Sequence, residues 1–446
     1  MPVSANPIVA YSPAQKTNRE NNKLRPEDRP AHDWYRFVLC FPPHLVREYI
    51  ERFGIRAGQL VLDPFCGTGT TLVECKKLGI ACVGIEANPM ACFASQVKLD
   101  WSISSAGLLR HARGIAEATL ARLEAEGVED EPRPPLFRTP RKASPRLRTL
   151  PEGTAKLLLS GSISPLPLHK TLSLLATLED GRDERFARHE RLALAKALLS
   201  GISNIEFGPE VGVGPAKADA PVVRTWLSCV ESIAEDLKEL RDRASVPATV
   251  HQADSRCPGA VLEPRSVDAV ITSPPYPNEK DYTRTTRLES VLLGFLRDRD
   301  DLRLLKSHLV RSNTRNVYKG DRDDETVAEN VEVQRIAAAI ERRRKELGKT
   351  SGFERLYARV TKLYFGGMAR HLSDLRDILR RGARLAYVVG DQASYLRVMI
   401  RTGRLLADIA ASLGYEVLGI DLFRTRLATA TREQLREEVL LLRWPG

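Results

Sequence analysis

One stretch constrains the fold of this chain more than any other. Gln59-Leu60-Val61-Leu62-Asp63 is followed by Pro64-Phe65-Cys66-Gly67-Thr68-Gly69, then by Thr70 to Leu78, Gly79, and Ile80 to Ile85. It reads as strand, glycine turn, helix, glycine stop and second strand. The apolar runs are short and nearly unbroken, as in strands covered on both faces. Gly67 and Gly69 let the backbone turn tightly from strand into helix, and Gly79 ends that helix. Two strands joined through a helix lie parallel, and the crossover is right-handed. The unit therefore opens a parallel α/β sheet.

Further strands are predicted at 248–251, 267–272, 384–389, 416–423 and 438–444. Together these give an α/β fold with a doubly wound, mostly parallel seven-stranded sheet of the Rossmann-like class, interrupted by helical insertions. Residues 1–30 are polar and proline-rich and read as a flexible arm. The first part of the core spans 31–101 and contains an amphipathic helix in which Leu45, Val46, Tyr49, Ile50 and Phe53 recur at helical spacing. A helical, basic insertion at 102–246 follows, then a second part of the core at 247–295, a second helical insertion at 296–383, and the last strands at 384–446. Within the first insertion Arg133, Arg138, Arg141, Lys142, Arg146 and Arg148 stand against one acid, Glu131, so this is a candidate for reading a polyanionic target. No internal repeat is visible.

A chain of 446 residues, 43% hydrophobic, has the material for a sizeable core. Its formal net charge of +11 suits a polyanionic partner such as a nucleic acid. No apolar run approaches the ~20 residues of a membrane span, and the N-terminus lacks the apolar core of a secretory signal, so a cytoplasmic protein with no membrane partner is expected. Seven cysteines without a CxxC pair give no zinc spacing. They read as small apolar residues in a reducing compartment, and no metal site is expected.

The glycine turn does not complete GxGxxG, because position 72 is Leu, and no Gly-Lys-Ser/Thr follows as in a P-loop. Asp63 at the strand end would repel a phosphate and suits a cation or a ligand bearing hydroxyls or amines. Glu86, in Gly84-Ile85-Glu86-Ala87-Asn88-Pro89, ends the second strand and is placed to take both ribose hydroxyls of a nucleoside. Asp254 follows the third and is placed to accept from an adenine amino group. Any one such acid is as well explained by a helix N-cap or a solvated loop. Three at successive carboxyl ends, beside a glycine turn, point to a ligand crevice.

The run Val267-Asp268-Ala269-Val270-Ile271 ends in Thr272-Ser273-Pro274-Pro275-Tyr276. The prolines remove two backbone donors and fix two φ angles, and each pushes its predecessor toward extended geometry. A stiff segment results, presenting carbonyls, a hydroxyl and an aromatic ring at the mouth of a sheet. Such segments also occur as polyproline ligands, but those lie in polar, flexible context rather than at the end of an apolar strand.

DPFCGTGTT at 63–71, GIEANP at 84–89, Ala253-Asp254 and TSPPY at 272–276 together resemble the amino-group DNA methyltransferases that use S-adenosylmethionine. The first looks like that family's motif I and the last like its motif IV; Phe41-Pro42-Pro43-His44-Leu45-Val46 is similar to motif X. The order X, I, IV requires no circular permutation. The resemblance spans about 34–100, 248–295 and 384–444 and leaves both insertions unexplained. It implies S-adenosylmethionine as cofactor, held by Phe41, Asp63, Pro64, Phe65, Gly67, Gly69, Thr70, Glu86, Asn88 and Asp254. It implies double-stranded DNA as substrate, a monomer or weak dimer, and in some settings a separately encoded restriction enzyme.

In that family SPPY is most often found in cytosine-N4 enzymes and DPPY in adenine-N6 enzymes, so Ser273 favours cytosine N4. An exocyclic amine is a poor nucleophile because its lone pair is delocalised into the ring. Ser273 and the Pro274 carbonyl are the expected acceptors for its hydrogens, Pro275 holds the turn rigid, and Tyr276 stacks on a base flipped out of the duplex. Lys280, Arg284 and Arg287 are placed to meet flanking phosphates. Three alternatives stay open: adenine-N6 methylation of DNA, methylation of an RNA amine, and a non-catalytic DNA-binding protein on a methyltransferase scaffold.

Overall fold

The computed structural model describes residues 24–36, 40–131, 146–208, 211–427 and 434–446. Most of the expected N-terminal arm, and Arg133, Arg138, Arg141 and Lys142 of the basic segment, lie outside the described residues.

Among the described residues nine strands are present: β1 Leu60–Asp63, β2 Ala81–Ile85, β3 Ile205–Phe207, β4 Val211–Val213, β5 Ala248–His251, β6 Val267–Thr272, β7 Leu379–Gly390, β8 Glu416–Leu427 and β9 Gln434–Arg443. Seven form one sheet in the order β5-β2-β1-β6-β7-β9-β8, while β3 and β4 pair as a separate hairpin. The five strands from β5 to β7 are parallel; β9 is antiparallel to both β7 and β8. The architecture is the doubly wound, mostly parallel α/β sheet expected. Strand order runs outward in one direction from β1 and in the other from β6, so these neighbours flank the point where ligand crevices form in open α/β sheets.

Side-chain parity assigns the two helical layers. Val61, Ala269, Ile271, Ala386 and Val388 belong to one core, and Leu62, Val270, Leu385, Tyr387 and Val389 belong to the other. Successive strand residues face opposite sides of a sheet, so a strand covered twice must be apolar at consecutive positions. The first core is completed by helices Pro43–Phe53, Thr70–Lys77 and Pro89–Lys98, and by Ser105–Ala125, Ala187–Ala197 and Val222–Leu240 between β2 and β5. The second is completed by Val331–Glu346, Tyr357–Ile378 and Thr402–Ser412. Leu45, Val46, Tyr49, Ile50 and Phe53 are all buried in the first core.

Several boundaries differ from expectation. The hairpin β3–β4 interrupts a stretch expected to be helical; three-residue strands are too short to show a period. β7 begins at Leu379 rather than Arg384, because its pairing with β6 slips between Val267↔Leu379 and Ala269↔Arg384. The helix between β7 and β8 begins only at Thr402, after a loop. Gln392 and Ile400 exchange backbone hydrogen bonds of 3.0 and 2.7 Å, closing a loop in which Leu396 and Arg397 take positive φ. The basic run at 342–345 lies on helix Val331–Glu346, where its cations pair with Glu341 and Glu346 of the same helix. Among the described residues no helix is long and apolar enough to cross a membrane.

Candidate active site

The glycine turn is built around one contact that tolerates no side chain. Cys66 N donates to Ile85 O at 3.1 Å and Gly69 N to Cys66 O at 2.7 Å, folding the turn back on β2. Gly69 has φ +84°, and a Cβ there would lie 2.4 Å from Ser95 Oγ on helix Pro89–Lys98. A residue other than glycine would be strained by conformation and blocked by contact.

Glu86, at the end of β2, accepts from Gly67 N at 2.9 Å and Asn88 N at 2.7 Å. Burial pushes its pKa up to about 7, against the pull of those two N–H groups. Asp63, at the end of β1, is fully buried. Its Oδ1 accepts from Thr272 Oγ1 at 2.6 Å and Phe65 N at 3.1 Å, and its Oδ2 has no hydrogen-bond partner among the described residues. Burial raises its pKa to about 6, with the Thr272 hydroxyl pulling the other way.

Ser-Pro-Pro-Tyr leaves the neighbouring strand β6. Ser273 Oγ donates to Val388 O of β7 at 3.1 Å. The Tyr276 ring packs on Gly390, where a Cβ would come within 3.0 Å of it. The segment after Tyr276 is held by the loop that precedes Asn316. Glu279 N donates to Ser312 O at 3.2 Å, Asn313 Nδ2 to Lys280 O at 3.0 Å, and Thr314 N to the Glu279 carboxylate at 3.0 Å. These bonds hold Glu279 at φ +64°, a conformation that a non-glycine residue keeps only when its surroundings impose it.

Between the two motifs lies a cleft of about 340 Å³. Phe41, Phe65, Gly67, Thr70, Glu86 and Asn88 line it together with Ser273, Pro274, Pro275, Tyr276 and Lys280. Asp63, Pro64 and Gly69 lie buried beneath the turn. Asn88 also caps helix Pro89–Lys98, its Oδ1 accepting from Met90 N at 3.0 Å.

Three expected residues stand elsewhere. Asp254 faces Arg256, whose Nε donates to both its oxygens at 3.0 Å; the same guanidinium reaches Asp323 Oδ2 at 2.6 Å and Ser307 O at 2.8 Å. Ser255, rather than Asp254, reaches the cleft wall. Arg287 is buried and donates to Thr283 Oγ1 at 2.7 Å and Leu157 O at 3.2 Å, so it is an interior tether rather than a surface cation. Arg284 is half-buried, with its Nε enclosed.

Other walls carry residues that no motif announced: Phe207 of the hairpin, His308 and Ser312 of the second insertion, and Phe423, Arg424 and Glu437 of β8 and β9. A charged residue near the end of each of two apolar strands was the available signal for Arg424 and Glu437.

Comparisons with known proteins agree with this geometry. The N6/N4 methyltransferase family model, described as DNA methylase, matches residues 7–96. The type II methyltransferase M.BsoBI of Geobacillus stearothermophilus is 26% identical over 456 residues, covering 94% of this chain and 86% of its own. The type II methyltransferase M.AvaI of Nostoc sp. is 25% identical, covering 94% and 87%. These matches support an amino-methyltransferase family for the chain. A shorter match, 37% identical over 65 residues and 15% of this methyltransferase, is to a tRNA (guanine(10)-N2)-dimethyltransferase of Methanothermobacter thermautotrophicus.

A methyltransferase needs a methyl donor, and the residues present fit one that carries a nucleoside. Gly67 of the glycine turn brings backbone to the cleft, Glu86 offers a carboxylate there, and Phe41 and Phe65 supply aromatic surface.

Proposed function

We propose that this methyltransferase moves the methyl group of S-adenosylmethionine to the exocyclic amine of a base flipped out of double-stranded DNA, with cytosine N4 as the target. The observation that carries this reading is the hydrogen bond from Ser273 Oγ to Val388 O. The hydroxyl proton is engaged by the carbonyl, so the lone pairs of Oγ are left to accept from an amine in the cleft. The Pro274 carbonyl is the second acceptor. Two acceptors on the amine hydrogens draw the nitrogen toward a pyramidal geometry and return its lone pair for attack.

S-adenosylmethionine supplies an electrophilic methyl group on a sulfonium. Glu86 would hold the ribose hydroxyls, and Phe41 and Phe65 would supply aromatic surface for the adenine. Tyr276, fixed against Gly390, stacks on the target base. A nitrogen–carbon bond forms, the sulfur–carbon bond breaks, and the proton lost by the amine leaves to solvent. The type II methyltransferase relatives and the net charge of +11 support DNA as substrate.

The test is transfer of labelled methyl to duplex DNA and to total tRNA, followed by nucleoside analysis. N4-methylcytosine in DNA is expected. Ser273→Ala and Tyr276→Ala should each abolish transfer while cofactor affinity stays within about twofold. Full activity in both variants, or product only in tRNA, would overturn the reading.

A further inference from the structure

The wall beside Ser-Pro-Pro-Tyr, where Glu437 pairs with the Gly390 that carries the Tyr276 ring, is made by a fault in strand pairing. β8 and β9 pair Leu422↔Glu438 and then Arg424↔Glu437, so Phe423 and Arg424 together oppose a single step on β9. This is a β-bulge. In regular pairing one of two successive side chains would face the cleft and the other would face away. Here both Phe423 and Arg424 line it, and Glu437 lines it beside them. Arg424 Nε donates to Glu437 Oε2, and the guanidinium carbon lies 5.8 Å from the Phe423 ring centre. The Arg424 and Glu437 side chains are 23% and 11% exposed, so the pair is largely withdrawn from water. A half-buried ion pair is a poor device for stability. The Tyr276 phenol is held above its ordinary range first by burial and next by Glu437, which puts the carboxylate within electrostatic reach of the SPPY tyrosine.

We infer that Arg424, oriented by Glu437, determines the target base by donating two parallel hydrogen bonds to the N3 and O2 atoms of the flipped cytosine. The inference rests on the reading above and deepens it. With the N4 amine against Ser273 and Pro274, the same edge of cytosine carries N3 and then O2 onward toward Arg424. N3 and O2 are adjacent acceptors, which a planar guanidinium fork matches. Adenine in the same pose offers N6, then N1, then a carbon–hydrogen bond, so one donor of the fork meets nothing. Thymine lacks the amine. Glu437 holds the guanidinium in plane, as a carboxylate partner does for a bidentate arginine. The choice of base then has a source besides the serine at position 273.

The test uses the full-length protein. Methylation-sensitive sequencing of DNA from expressing cells first gives the site. Duplexes are then made with cytosine or 3-deazacytosine, in which N3 becomes a carbon–hydrogen group, at the target position. Wild-type kcat/KM should fall about 10- to 100-fold on the 3-deaza duplex. Arg424→Met should lose a similar factor on cytosine and little more on 3-deazacytosine. Arg424→Lys, which keeps the charge but not the fork, should behave like Arg424→Met, and Glu437→Gln should fall between. The effect of the replaced atom on the amine itself is common to all proteins, so the ratio of penalties isolates the arginine. Unchanged cofactor affinity in each variant reports an intact fold. If Arg424→Met or Arg424→Lys keeps the full wild-type penalty, the role of Arg424 is overturned while cytosine methylation stands. If sequencing shows methyladenine, both the target base and this inference are overturned together.

Discussion

Thr272 Oγ1 donates to Asp63 Oδ1 across 2.6 Å, joining the last residue of β6 to the last residue of β1. Beside it, Thr71 Oγ1 of the helix after the glycine turn donates to Ile271 O at 3.1 Å. The glycine turn and the Ser-Pro-Pro-Tyr segment are thereby parts of one rigid piece. Thr272→Val keeps shape and removes the donor. Asp63, already missing a partner at Oδ2, would then keep only the bond from Phe65 N. Stability is expected to fall by about 1–3 kcal/mol, with cofactor affinity and transfer falling together. Urea unfolding and calorimetry check this, and an unchanged unfolding midpoint would count against the lock.

The same aspartate gives stability a pH dependence. Its pKa is about 6 in the fold, against roughly 4 in an unfolded chain. A carboxyl raised in this way holds its proton more tightly when folded. Its contribution is complete below about pH 4 and is lost as pH rises through about 6. Asp63→Asn should flatten the stability profile over that window. A slope unchanged between pH 4 and 6 would show that another group sets it.

Glu86 titrates in a range that matters for binding. With its pKa at about 7, it is half protonated near neutrality before any ligand arrives. On the proposed function the carboxylate takes the ribose hydroxyls, so cofactor affinity is expected to rise as pH increases through about 7 and then level off. Glu86→Gln should bind more weakly and lose that dependence. Titration calorimetry at several pH values reads both effects.

Lys280 and Arg287 were expected to play one role and now have two. Lys280 lines the cleft, whereas Arg287 is an interior tether. Lys280→Ala should weaken DNA binding and reduce the slope of log affinity against log salt by about 0.9, the value for one phosphate contact. Arg287→Met should leave that slope unchanged and lower stability by about 1–3 kcal/mol, because the Thr283 hydroxyl and the Leu157 carbonyl lose their buried donor. A reduced salt slope in Arg287→Met would return it to the DNA surface.

The sheet was legible because each strand carries its own evidence. Val61 and Leu62 are apolar at consecutive positions because they enter different cores. The glycine turn, Glu86 and Ser-Pro-Pro-Tyr were legible for the same local reason. Arg424 and Glu437 were not, since they meet only through a register shift between two strands. Asp254 was read as facing a ligand, but the arginine two residues later turns toward it, and only the fold shows that Asp323 completes the arrangement. The burial of Arg287 depends on which way two short helices, Tyr282–Thr285 and Arg287–Leu292, are set against Leu157. No period can be read from elements so brief.

β9 lies between β7 and β8 in the sheet, although it follows both in the chain. The strand synthesised last of the seven must therefore enter an interior position, and it brings Glu437 with it. A nascent chain on the ribosome can complete the turn, the SPPY segment and both helical layers and still lack Glu437 in the wall of its cleft. Glu437 can reach Arg424 only once that strand has docked, so this pair cannot form while β9 is still missing from the sheet.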